Sequence, residues 1–194
     1  MKILVLRNKI TPISKIIEQI GDDVLEWSDP IDRLFIEQNR IDFAVSHGYR
    51  HIIKKSIINR FHQRIINLHI SLLPWNRGAD PNLWSFLDDT PKGVTIHYVD
   101  EGIDTGDIIV QKEVAFKNDQ ETLATTYQTL QAEIIDLFKL NWPLIRDERC
   151  SCLKQANGGT FHNSLDKRKY LNLLVDGWDT PVSLLIGKGK AFNA

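Results

Sequence analysis

An alternation in its first seventy residues most constrains how this chain can fold. Short apolar runs suited to strands are Lys2 to Leu6, Val24 to Trp27, Asp42 to Ser46 and Arg64 to Ile70. Segments with helical character separate them. Lys2 to Leu6 has the near-continuous apolar character of a central parallel strand, covered on both faces. Ile13, Ile16, Ile17 and Ile20 recur with the period of a helix, and Gly21 supplies its stop. Asp29-Pro30 reads as the N-cap and first residue of a second helix reaching Asn39. Lys54 to Phe61 reads as a third. This pattern predicts an α/β fold: a Rossmann-like, mostly parallel twisted sheet with helices on both faces. Ligands of such sheets bind outside the carboxyl ends of the strands. Loop 46–53 and segment 67–78 both leave from such ends and are expected to meet.

The fourth strand carries an anomaly. Residues i and i+2 of a strand share a face, so Asn67 and His69 project together beside Ile65, while Ile66, Leu68 and Ile70 face the other way. A side-chain amide can hold a developing oxyanion, and a neighbouring imidazole can move protons near neutral pH. The pair lacks an orienting acid. Residues 93–99 and 108–114 read as two further strands, and the loop between them offers Asp100, Glu101, Asp104 and Asp107. Its glycines allow close backbone approach to a ligand. His97 lies mid-strand, where it is expected to face a neighbour or the core.

A long helix follows, capped by Asn118 or Asp119. Its apolar stripe is Leu123, Tyr127, Leu130, Ile134, Leu137 and Phe138, and Pro143 limits its continuation. The tail is less regular: a turn at Gly158 to His162 and a short basic helix from Lys167 to Leu174. His162 reads equally as a substrate neighbour or a surface residue. The chain is therefore expected to divide into a catalytic domain, 1–145, and a C-terminal extension, 146–194.

Composition narrows the function. The 194 residues carry a net charge of −1, which argues against a non-specific nucleic-acid binder. No apolar run approaches the roughly 20 residues of a membrane span. Cys150 and Cys152 are too close to favour a disulfide and too few for a zinc site. A cytoplasmic protein without a metal centre is the expectation.

The run Asn67-x-His69-x-Ser71-Leu72-Leu73-Pro74, followed by the Asp/Gly-rich loop 100–107, resembles the 10-formyltetrahydrofolate-dependent formyltransferases over residues 42–140. The resemblance implies catalytic roles for Asn67, His69 and Asp104, with 10-formyltetrahydrofolate as formyl-donor cosubstrate. It implies a folate pocket walled on one side by Tyr49, Arg50, His51, Ile52 and Ile53. Asp100, Glu101, Gly102 and Ile103 form its other wall. The glycine-rich phosphate loop of glycinamide ribonucleotide formyltransferases is missing after strand one, where this chain reads Arg7-Asn8-Lys9-Ile10-Thr11-Pro12. The run from Trp75 to Phe86 is instead similar to the sugar N-formyltransferases. That branch implies substrate contacts from Trp75, Arg77, Gly78, Asn82 and Trp84. Arg77 would pair with a diphosphate, and a tryptophan would stack on a base or a sugar face. The expected acceptor is the primary amine of a nucleotide-linked aminodeoxy sugar, for polysaccharide biosynthesis. The alternatives are glycinamide ribonucleotide or another small amine, and a folate- or nucleotide-sugar-binding module without catalysis. The apolar C-terminal segment is compatible with a homodimer.

Overall fold

The computed structural model describes residues 1–61, 63–117 and 119–189. Its elements, in chain order, begin with β1 (Lys2–Arg7), α1 (Ile13–Glu18), β2 (Asp23–Trp27), α2 (Arg33–Asn39), β3 (Phe43–His47), α3 (Lys55–Phe61) and β4 (Ile65–His69). There follow β5 (Arg77–Gly78), α4 (Pro81–Leu87), β6 (Gly93–Tyr98), β7 (Ile108–Glu113), α5 (Leu123–Arg146) and β8 (Phe161–His162). The tail closes in 3-10 turns at Asp166–Leu173, Gly177–Asp179 and Val182–Leu184.

A six-stranded sheet has the order β2-β1-β3-β4-β6-β7, and β5 pairs with β8 in a second, two-stranded sheet. β2, β1, β3 and β4 are parallel. Ser46 of β3 stands opposite Asn67 of β4, which sets the carboxyl ends of these two strands side by side. β6 runs against β4, because Val99 N–H donates to Ile65 O at 2.9 Å and Thr95 Oγ1 to Ser71 O at 2.7 Å. β6 and β7 form an antiparallel edge hairpin closed by Tyr98 N–H to Asp107 O at 2.9 Å. The sheet is thus mostly parallel, with a reversed edge.

The chain forms two compact units. The first comprises 1–69, 96–110 and 135–154. Leu4, Leu6, Ile36, Ala44, Ile57, Phe61 and Ile65 form a core cluster there, while Ile3 and Val5 are covered on the other face of β1. Trp142 of α5 packs edge-on against Phe43 and stacks on Phe138. The second unit comprises 70–95, 111–134 and 155–194. Its core joins Leu83, Trp84, Phe86 and Leu87 of α4 to Leu123, Tyr170, Val182 and Leu185. Residues 146–154 belong to the first unit, so this division does not follow the expected 145/146 boundary. The Ile108–Leu153 bridge holds them there.

Local differences from the sequence reading have local causes. The α2 cap is Asp32, not Asp29: its carboxylate accepts from Phe35 N–H at 2.7 Å. α4 went unpredicted because every one of its side chains except Pro81 is buried, which leaves no amphipathic signal. α5 passes through Pro143. That residue and Lys139, whose carbonyl loses its partner, both face solvent. Of the two expected α5 caps, Asn118 lies outside the described residues, and Asp119 is displaced by Thr122. Thr122 Oγ1 accepts from Thr125 N–H, and Thr125 Oγ1 accepts from Thr122 N–H. Among the described residues no helix is long and apolar enough to cross a membrane.

Candidate active site

Two segments of the first unit converge on one polar cluster. β4 delivers Asn67 and His69 on one face, with Ile66 and Leu68 buried on the other. Loop 100–107 delivers Asp104 by a tight return. Asp100 Oδ1 gathers Gly102 N–H at 3.1 Å and Thr105 Oγ1 at 2.7 Å. A side chain at Gly106 would collide with the Tyr98 carbonyl. Asp104 itself takes a left-handed φ of 53°, which a short polar side chain tolerates better than most. The carboxylate thereby turns back onto β4. Asn67 Nδ2 donates to Asp104 Oδ1 at 3.0 Å. His69 Nδ1 lies 3.6 Å from Asp104 Oδ2, beyond hydrogen-bond length and open to closure. Amide, imidazole and carboxylate, expected from separate segments, are brought together.

The cluster holds a fourth member, His97, which was expected to face a neighbour or the core and does both. His97 Nε2 lies 3.3 Å from Asn67 Nδ2 and 3.4 Å from Asp104 Oδ1. The His69 and His97 rings stand nearly perpendicular, 6.3 Å apart. The signal was available: Thr95 and His97 repeat, on the strand facing β4, the i, i+2 polar pair of Asn67 and His69.

The expected folate walls are less uniform. Tyr49 is tied down, its hydroxyl donating to Asp29 O at 2.7 Å and its ring edge-on to His51. Burial raises its phenol above the ordinary value. Ile53 packs on the core cluster, whereas Ile52 is 81% exposed. Arg50 and His51 are exposed. Lys55 and Glu101 form an ion pair at 2.7 Å between the start of α3 and the acid loop. A cavity of about 410 Å³ opens beside that loop, bounded by Ile58, Asn59, Tyr98, Val99, Asp100 and Glu101. Of the expected folate residues only Asp100 and Glu101 line it; Gly102 and Ile103 lie on the return that carries Asp104. Cys150 and Cys152 are free thiols.

The expected substrate residues belong to the second unit. Arg77 and Gly78 form β5 and pair with Phe161 and His162. The fully buried Asn76 fixes that pairing. Its N–H donates to Thr160 Oγ1 at 2.8 Å, its Oδ1 accepts from the same hydroxyl at 3.0 Å, and its Nδ2 donates to Thr90 Oγ1 at 2.8 Å. Gly78 and Gly159 stand where a side chain would strike the carbonyls of His162 and Pro74. Arg77 makes one long contact, Nη2 to Gly158 O at 3.4 Å, and its buried Nε has no partner among the described residues. Trp75 is half-buried, its carbonyl accepting from Ser71 Oγ at 2.7 Å.

Asn82 and Trp84 lie in the core rather than at an open face, at 4% and 3% exposure. Asn82 Nδ2 donates to Leu123 O at 2.9 Å. Trp84 stacks on His162 with ring centroids 3.7 Å apart and meets Tyr170 edge-on. His162, paired with Asp88 at 2.9 Å, is a packed residue and not a surface one.

A family model for formyl transferase matches residues 31–137, and the chain belongs to that family. Among solved structures, it is similar to the formyltransferase PseJ from Anoxybacillus kamchatkensis, in complex with UDP-4,6-dideoxy-4-formamido-L-AltNAc and tetrahydrofolate. That likeness has 52% identity and a TM-score of 0.93, over 97% of this chain and 100% of that one. A 4-N formyltransferase from Francisella tularensis is 26% identical with a TM-score of 0.76, over 87% of this chain and 78% of that one. Methionyl-tRNA formyltransferase of Finegoldia magna is 36% identical over 124 residues, 58% of this chain and 38% of that protein. The chain spans about two-fifths of the length of the first curated relatives it matches.

Proposed function

We infer that this protein transfers the formyl group of 10-formyltetrahydrofolate to the primary amine of a nucleotide-linked aminodeoxy sugar. The observation that carries the reading is the match to PseJ over the whole of that chain, whose bound ligands are a formamido sugar nucleotide and tetrahydrofolate. The cluster of Asn67, His69 and Asp104 supports the same chemistry. The substrate amine attacks the formyl carbon, a C–N bond forms, and the bond from that carbon to the folate nitrogen breaks. Negative charge grows on the formyl oxygen, where an Asn67 N–H and His69 stabilise it. Asp104 holds His69, or an ordered water, to pass the amine proton to the departing nitrogen. The donor fits the chain beside the acid loop. The cavity there lies in the size range of small-molecule sites, and Asp100 and Glu101 offer acceptors to the N–H groups of a pterin.

Trp75, Arg77 and Gly78 are the proposed substrate contacts, and Asn82 and Trp84 act as scaffold. Arg77 supports the assignment best, since a buried guanidinium nitrogen without a partner suits a phosphate oxygen. We place the protein in the cytoplasm, where its two free thiols stay reduced.

The test is turnover with 10-formyltetrahydrofolate against uridine, guanosine and thymidine diphospho-amino sugars. Glycinamide ribonucleotide and methionyl-tRNA run in parallel. Formylation of a uridine diphospho-4-amino sugar is expected. Activity confined to methionyl-tRNA or glycinamide ribonucleotide would replace the reading. Folate binding without turnover on any amine would leave a binding module.

A further inference from the structure

His97 is 1% exposed, and burying an imidazole is costly unless both nitrogens find partners. Nδ1 lies 2.8 Å from the carbonyl oxygen of Tyr98. A carbonyl only accepts, so this nitrogen carries a ring proton, and Nε2, 3.3 Å from an Asn67 amide nitrogen that can only donate, serves as the acceptor. The groups facing Nε2 are the Asn67 amide from β4 at 3.3 Å and the Asp104 carboxylate from the acid loop at 3.4 Å. His69 of β4 stands beyond them.

A carboxamide is nearly symmetric in shape, and half a turn about its last bond exchanges oxygen for nitrogen. Only the nitrogen end can donate to an oxyanion. Turned the wrong way, Asn67 would set its carbonyl oxygen against two acceptors, His97 Nε2 and Asp104 Oδ1. Turned as it is, it donates to both. We propose that His97 is a positioning residue for formyl transfer: its neutral, Nδ1-protonated ring keeps the nitrogen end of Asn67 turned toward Asp104. That side is where a reacting carbonyl must sit to meet Asn67, His69 and Asp104 together. Asp104 and His97 accept from the same amide nitrogen, at 3.0 and 3.3 Å. An oxyanion arriving on that side takes over the hydrogen that Asp104 accepts, while His97 keeps the other. The role rests on the formyl-transfer reading above.

Two substitutions and one spectrum test it. His97→Phe keeps a ring and removes the acceptor. His97→Gln returns an acceptor near the Nε2 position. His97→Phe should lower kcat about tenfold to a hundredfold, as for other partners that orient a reacting group, with the KM for donor changed less than about twofold. His97→Gln should restore most of that loss. A nitrogen-15 spectrum of the wild-type histidines near neutral pH should show His97 as the neutral Nδ1–H tautomer. An Nε2–H tautomer or an imidazolium there overturns the proposal. So does wild-type kcat in His97→Phe, or equal impairment of the two variants. If His97→Phe does not fold, the tautomer decides. Absence of wild-type turnover on every amine would instead remove the formyl-transfer reading, while the spectrum still tests the orientation of Asn67.

Discussion

Asp22 has a fully covered side chain and accepts from Arg146 Nε at 2.5 Å, Arg146 Nη2 at 2.8 Å and the Met1 amine at 2.7 Å. Asp104 has a side chain 12% exposed and stands among Asn67 at 3.0 Å, His97 at 3.4 Å and His69 at 3.6 Å. Both are buried acids of one unit. The first is saturated by cations at full hydrogen-bond contact. The second faces a neutral amide and two imidazole rings, the rings at distances with room to close. A carboxylate that anchors the fold is thus given partners that cannot leave it. The carboxylate to which we assign a part in the reaction is instead given partners at longer range.

The largest effects should fall on the cluster around Asp104. Asn67→Ala and His69→Ala should each lower kcat/KM about a hundredfold to a thousandfold, with melting temperatures near wild type. Steady-state formyl transfer beside a thermal melt measures both, and near-wild-type rates would erase the distinction. Asp104→Asn should cost about a hundredfold in kcat with little change in stability.

Asp22→Ala should show the reverse. It leaves Arg146 with Asp147 alone, paired at 2.9 Å, and a loss of about 1–3 kcal/mol is expected in a denaturant titration, with kcat of the folded protein unchanged. A pH series sharpens the same contrast. The hydrogen bonds from Arg146, aided by the Met1 amine, hold the Asp22 carboxyl below its ordinary value against the opposing effect of burial. The folded state therefore binds this proton more weakly than the unfolded one. The stabilisation is complete above about pH 4 and fades as pH falls through the depressed folded value. In Asp22→Asn that acid-side loss should be smaller. Parallel curves for the two proteins would show that the clamp contributes nothing.

The smallest effect is expected at Asn82. Asn82→Ala should cost about 1 kcal/mol, the worth of its hydrogen bond to Leu123 O, and leave the KM for sugar nucleotide unchanged. A raised KM would return Asn82 to the substrate site.

The parallel half of the fold was legible because β1 to β4 are covered strands whose apolar runs alternate with helical spacing. Leu4 and Leu6 read correctly as core before any coordinates. Asn67 and His69 were legible for a similar reason: polar side chains two apart in a buried strand have few structural uses. Of the four acids of the loop, Asp104 was singled out only by the resemblance to the formyltransferases. His97 was missed because a lone histidine carries no partner in one dimension. Its i, i+2 pairing with Thr95 is visible in the sequence, but the partner it meets comes from the reversed pairing of β6 with β4, which periodicity does not encode. α4 was missed because a helix buried on all sides has no polar stripe. Trp84 was read as a substrate contact from the resemblance to the sugar N-formyltransferases, and in the fold its ring stacks on His162 of the same unit.

The pairing of Arg77 and Gly78 with Phe161 and His162 has a consequence for anyone who would re-engineer the acceptor. The stretch after the catalytic strand and the distant turn at 158–162 share one hydrogen-bonded seam, with Asn76 and Thr160 as its rivet and two glycines too tight to vary. Exchanging either stretch alone for that of a relative would leave the seam mismatched. Donor sequences for such chimeras must be transplanted as a matched pair, though some eighty residues part them in the chain.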